Sequence, residues 1–145
     1  MTNERMTNDD AGVAPAPPPG RRYDLEERTA RFGEGVVDFL KTVRVAPLTR
    51  NMIDQLARSS TSVGANYCEA DDAGSPAEFR HRISLCKRES RESQFWLRMI
   101  ARATPDRRSA SRTLWQEARE LNLIFAAIHR KLPKPVGKSS PRKPR

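Results

Sequence analysis

Apolar residues return every three or four positions through four stretches of this chain, and no stretch alternates in the manner of a half-buried strand. In the first, Leu25, Phe32, Val36, Leu40 and Val43 share one face, which predicts a helix over 24–44. Asp24 is placed to cap its amino end, and Glu26 and Glu27 suit the positive end of its dipole. Gly33 and Gly35 each weaken such a helix by up to about 1 kcal/mol relative to alanine. They either permit close helix approach or mark a soft spot. Pro47 breaks the pattern, and a second helix is predicted from 48 or 49 to 71, with Met52, Leu56, Ser60 (or Ser59), Val63 and Tyr67 as its stripe. Residues 59–66 of that helix are mostly small, which lets a neighbouring helix come near.

Asp71, Asp72, Ala73 and Gly74 read as a loop. The next four residues are the clearest local cue in the chain. Ser75 stands at the N-cap, Pro76 at the first helical position and Glu78 three residues after the cap, a capping box with the favoured proline. A third helix is therefore predicted over 76–103, ending before Pro105. A fourth is predicted over 109–132, ending before Pro133, with Leu114, Leu121, Ile124, Phe125, Ile128 and Leu132 as its stripe and Trp115 and Ala118 at its flanks. Four amphipathic segments with short connections predict an all-α fold, an antiparallel up-down-up-down four-helix bundle over 23–132.

The third helix has more than one apolar side. Phe79, Ile83, Cys86, Ser90, Ser93 and Leu97 form the face expected to point inward, while Leu85, Phe95, Trp96 and Met99 occupy a second arc. That arc is either the rim of a wide core or a contact with another subunit, since aromatic and methionine side chains are enriched at interface cores. Between the arcs runs a line of Arg80, Lys87, Arg91, Arg98 and Arg102, at spacings of seven and four. Its plain reading is a solvated face, partly neutralised by Glu78, Glu89 and Glu92 through local pairs. Its sharper reading is a track of phosphate contacts, extended near the turn by Arg107, Arg108 and Arg112.

The chain has 145 residues, enough for one domain, and its 37% apolar content is low for a chain folded throughout. The proline-rich residues 1–22 and the lysine- and arginine-rich residues 133–145 are accordingly expected to be disordered. A formal charge of +9 favours polyanionic partners. Lys134 and Lys138 belong to the basic tail, which either adds affinity for nucleic acid without choosing a sequence or merely aids solubility. Neither the line on the third helix nor the tail contains an aromatic side chain for stacking on a base, so specific recognition is not indicated.

Cys68 and Cys86, the only two cysteines, lack metal-site spacing and read as small fillers in a reducing compartment. His81 and His129 are placed beside no nucleophile by any local motif, and neither a glycine-rich phosphate loop nor a metal site is apparent. No enzyme, cofactor or metal is expected. No apolar run reaches the roughly 20 residues of a membrane span, and the amino end lacks a secretory pattern, so a cytoplasmic protein without membrane contact is expected.

The run from Gln55 through Arg58, Ser59, Ser60, Thr61, Ser62, Val63, Gly64, Ala65 and Asn66 to Glu69 and Ala70 resembles the second helix of proteins related to the 23S rRNA intervening-sequence protein. The resemblance continues through Ser75, Glu78 and Phe79, residues 83–87, residues 89–93 and residues 95–97. It covers the second and third helices; the first and fourth fit by length and pattern. Tyr67 and Cys68 depart from the aliphatic or polar pair commoner there, and the two tails have no counterpart in the family pattern. The resemblance implies a bacterial four-helix bundle that assembles as a homopentamer. Members include the accessory variability determinant of diversity-generating retroelements, which binds nucleic acid and a reverse transcriptase, and proteins encoded within rRNA intervening sequences.

Two functions follow as expectations. The first is a non-enzymatic oligomeric accessory protein that binds RNA or DNA through Arg80, Lys87, Arg91, Arg98, Arg102, Lys134 and Lys138, and that assists a reverse transcriptase or an rRNA-linked element. Leu85, Phe95, Trp96 and Met99 would then join its subunits. The second is a protein-interaction scaffold whose positive charge serves solubility.

Overall fold

The computed structural model describes residues 24–137, and all regular structure among them is helical. Four long helices follow in order: α1 (Leu25–Leu40), α2 (Arg50–Asp71), α3 (Pro76–Ala103) and α4 (Arg108–Lys131), with a short 3-10 turn, Pro105–Arg107, between the last two. Each helix packs on its sequence neighbour, and α1 also meets α4, closing the bundle. The α2–α3 and α3–α4 seams are the most extensive and the α1–α4 seam the least.

The helix starts follow the residues expected to set them. Asp24 Oδ1 accepts from the Glu27 amide at 3.1 Å, and Ser75 Oγ accepts from the Glu78 amide at 3.1 Å. Glu78 turns back as a capping box requires, but its Oε2 accepts from the Gly74 amide, one residue earlier than usual. Thr49 caps α2 without its side chain. Its hydroxyl is held in the preceding loop, accepting from the Ala46 amide at 3.0 Å and donating to the Arg44 carbonyl at 2.8 Å.

α1 is shorter than predicted. It stops at Leu40 because the chain must reverse within the loop before Arg50, and the Thr42 and Val43 amides tighten onto the Phe39 and Leu40 carbonyls. Val43 stays buried from that turn, so the apolar periodicity outlasted the helix.

The core lies along the predicted faces: Phe32 and Val36 from α1, Leu56 and Val63 from α2, Ile83, Cys86, Leu97 and Ile100 from α3, and Ala118, Leu121 and Phe125 from α4. Ala118, expected at a flank, is fully buried, while Met52, Tyr67 and Phe79 pack against the core from its margin. Both Ser59 and Ser60 are buried, and Ser93 Oγ of α3 donates to Ser59 Oγ at 3.0 Å, so small side chains fill the α2–α3 seam. The cysteines separate: burial pushes the Cys86 thiol up to about 12, whereas Cys68 is exposed and is no core filler.

Fully burying a large apolar side chain contributes about 1.5–3 kcal/mol, against about 1 kcal/mol or less for an exposed ion pair. The bundle is therefore held by its interior, and its surface charges carry little of the stability.

Candidate nucleic-acid interface

Two side-chain contacts set the antiparallel register of α3 and α4. Ser111 Oγ donates to the Leu97 carbonyl at 2.7 Å, and Asn122 Nδ2 donates to the Lys87 carbonyl at 2.8 Å. In that register the basic line on α3 runs along the outer edge of the α3–α4 seam. A second line, Arg108, Arg112, Arg119 and Arg130, runs along the facing edge of α4, with Arg119 about level with Arg91. The spacings of four and seven between Arg108, Arg112 and Arg119 repeat those on α3. That repeat was present in the sequence, but Arg119 gains its meaning only from the register.

The glutamates expected to neutralise the α3 line do not do so. Glu89 and Glu92 lie on the other side of α3 and pair with Arg58 of α2, Glu89 at 3.2 Å. Glu78 is the capping residue. Among the described residues Lys87, Arg91, Arg98, Arg102, Arg108, Arg112, Arg119 and Arg130 form no ion pair. The uncompensated charge is felt locally. Burial, with the charges of Arg80 and Lys87, holds the His129 imidazole below its ordinary value.

Arg80 has a task of its own. Its Nη1 donates to the Leu132 carbonyl at 3.2 Å and to the His129 and Pro133 carbonyls at 3.4 Å, so it closes the carboxyl end of α4. Lys134 is exposed just beyond. Lys138 and the rest of 138–145 lie outside the described residues, as do residues 1–23.

Positive charge gathers where α3 ends and α4 begins. Residues 98–112 contain five arginines against one aspartate. Here a cleft of about 630 Å³ opens between the two helices, lined by Arg98, Arg102, Arg108, Arg112, Trp115 and Gln116 over Leu97, Met99, Ala101 and Ser111. Across the bundle, the α1–α2 groove carries Glu26, Glu27, Glu34 and Asp38 at its rim. The α1–α2 groove and the α3–α4 cleft thus carry opposite charge.

The second apolar arc of α3 does not form one uniform surface. Trp96 packs against the core and its indole Nε1 donates to Glu92 at 3.3 Å, while Met99 lines the α3–α4 cleft. Leu85 is half-buried. Phe95 is 51% exposed and meets Trp96 edge-on, with ring centroids 5.0 Å apart.

His81 is exposed, and among the described residues no group of three histidine, cysteine or acidic side chains is placed to hold a metal ion. No described helix is long and apolar enough to cross a membrane.

A family model described as the 23S rRNA-intervening sequence protein matches residues 27–127. A solved protein from Bacteroides thetaiotaomicron VPI-5482, described as a protein of unknown function from the S23 ribosomal protein family, aligns with a TM-score of 0.65 and 24% sequence identity. The alignment covers 74% of this chain and 99% of that one. At that identity the likeness speaks for the helical fold alone. No curated protein matches the chain.

Proposed function

Because this chain belongs to the 23S rRNA-intervening sequence protein family, we propose that it is a non-enzymatic accessory protein that binds RNA or DNA through the α3–α4 face. The observation that carries this reading is the pair of basic rows flanking one helix seam without a carboxylate partner among the described residues along either. Cations held in that way are free to meet phosphates, and each that does so releases counterions condensed on the nucleic acid, whose gain in entropy favours binding. From Arg80 to Arg102 the track is about 33 Å long at 1.5 Å per residue. That length matches roughly ten nucleotides of a stacked strand at about 3.4 Å each.

Phosphates are the primary contact in this reading, so binding depends steeply on salt and weakly on sequence. The nucleoprotein complex so formed serves a reverse transcriptase or an rRNA-linked element, the settings implied by the family resemblance. Filter binding of labelled RNA and DNA at low and at moderate salt tests the proposal. Retention that collapses as salt rises supports it, and no retention of either polymer at low salt ends it.

Assembly is the second part of the proposal. The exposed Phe95 ring, backed by Trp96, supports a subunit contact, with a homopentamer as the assembled form. Light scattering that gives five times the 16.4 kDa chain mass supports that stoichiometry. A Phe95→Glu protein is then expected to lose mass. The same exposed ring favours the alternative of a protein-interaction scaffold, in which partner capture survives nuclease treatment.

A further inference from the structure

Resting on the proposal that the α3–α4 face binds nucleic acid, we infer that the cleft at its arginine-rich end is a subsite for an unpaired nucleotide, with the base against Trp115 and the flanking phosphates on Arg98, Arg102, Arg108 and Arg112. A simple phosphate track needs no aromatic side chain and no cavity. This end of the face has both, in a cleft of about 630 Å³ whose rim is four arginines.

The state of the indole separates Trp115 from the other tryptophan. The Trp96 N–H donates to Glu92, and its ring meets Phe95. Trp115 has neither tie. Its ring packs in part against the core and lines the cleft, and its N–H, which has no hydrogen-bond partner among the described residues, keeps some contact with solvent. Nor does its ring meet another aromatic ring among them. A half-buried indole with a free donor offers an apolar surface to a base and a hydrogen bond to a base carbonyl. Gln116 beside it supplies a further donor and acceptor at the mouth.

The arginines occupy the complementary positions. Arg98 and Arg102 are one turn apart on α3, Arg108 and Arg112 one turn apart on α4, and the two pairs face each other across the opening. Ser111 keeps the floor narrow through its bond to the Leu97 carbonyl. A base held in a duplex cannot leave its stack to enter without losing its pairing, whereas a single strand enters freely. The subsite therefore makes the face prefer single strands, RNA and DNA alike, because stacking uses the base and the arginines use the phosphate.

The test uses the full chain carrying Trp96→Phe, which leaves Trp115 as its only tryptophan. Oligo-U and oligo-dT are titrated at low salt while the emission of Trp115 and the anisotropy of an end-labelled strand are followed together. Quenching that saturates along the anisotropy curve with either oligomer supports the subsite. In the otherwise unchanged chain, Trp115→Leu is expected to weaken single-strand binding by roughly five- to 150-fold, the range for loss of one stacked base, and to leave duplex binding within about twofold. Helicity by circular dichroism shows whether that variant is folded, and the quenching experiment stands without it. Binding seen by anisotropy with unchanged Trp115 emission overturns the subsite while leaving the phosphate track intact. Failure of every oligonucleotide and duplex to bind overturns both.

Discussion

The guanidinium of Arg28, one turn into α1, grips the carboxylate of Glu117 on α4 with two bonds, Nε to Oε1 at 2.7 Å and Nη2 to Oε2 at 3.2 Å. Glu120 joins through Nη2 at 2.6 Å. This clamp crosses the α1–α4 seam, the least extensive in the bundle. Planar two-point pairing is stronger than a single exposed contact.

Arg28→Ala is therefore expected to cost about 1–2 kcal/mol, more than a fully exposed pair, because Glu117 is left half-covered without its partner. Urea unfolding measures the loss. Amide exchange should place it in α1, with α2 and α3 protected as before.

The contact of Gly64 with Thr29 sets a limit on the α1–α2 seam. A Cβ on Gly64 would stand 3.3 Å from Thr29 Oγ1, and that hydroxyl is pinned by its 2.6 Å bond to the Leu25 carbonyl. Gly64→Ala gains up to about 1 kcal/mol of helix propensity and spends it on this crowding, so it should be near neutral. Gly64→Val adds bulk that Thr29 cannot yield to, and it should destabilise by about 1–3 kcal/mol in the same urea assay.

Arg58 governs an acid-sensitive pair. Burial raises the Glu89 carboxyl above its ordinary value, with the Arg58 charge offsetting only part of this. Burial also works to raise Glu92, but hydrogen bonds from Arg58 and Trp96 together outweigh it and hold Glu92 below its ordinary value. Glu92 thus stabilises the fold above the ordinary carboxylate value of about 4.3, and its contribution is lost as pH falls through the lower folded value. Glu89 acts with the opposite sign, costing stability at neutral pH and ceasing to do so once protonated. Arg58→Ala removes the cation both acids face. The variant should lose about 0.5–1 kcal/mol near pH 7, and the gap from the parent should narrow as pH falls, closing only below the lowered folded value of Glu92. Thermal melts across that range check the closure.

Arg80 and the Arg98–Arg102 pair should separate in two measurements. Replacing Arg98 and Arg102 by glutamine is expected to reduce the slope of log affinity against log salt by roughly 0.7–0.9 per residue and to leave stability within about 0.5 kcal/mol. Arg80→Met should cost about 1 kcal/mol of stability by uncapping α4, with a smaller change in slope. Equal slope changes would place Arg80 on the phosphate track as fully as the others.

The helices were readable because their cues are local. The Ser75–Glu78 cap needs only four residues, and α3 begins and ends where that cap and Pro105 put it. Most of the buried face of α3 followed from periodicity alone, down to Ser90 and Ser93, but the fully buried Ile100 lay outside the predicted set and Phe79 sits at the core margin. Local reasoning failed at the loop after α1, where Val43 is buried without being helical, because an apolar spacing does not report the path between two points of contact.

The proposed interface was legible by half. The α3 line stood in the spacing of Arg80, Lys87, Arg91, Arg98 and Arg102, but the partners of Glu89 and Glu92 did not. Charges three or four apart on one helix can pair with each other, but here a cation on α2 reaches the acids instead. Trp115 showed only as a flank of the α4 stripe, with nothing in its surroundings along the chain to join it to Arg98 or Arg102.

By itself, then, the order of residues determined where the helices begin, which sides avoid water and how much positive charge remains outside, since each depends on neighbours within a turn or two. The register of α3 against α4 belonged to the tertiary structure alone. It is decided by how two surfaces interlock and by bonds such as Ser111 to Leu97 and Asn122 to Lys87, which join residues far apart in sequence. That register makes two separate lines of arginine into one face and sets an indole at its end.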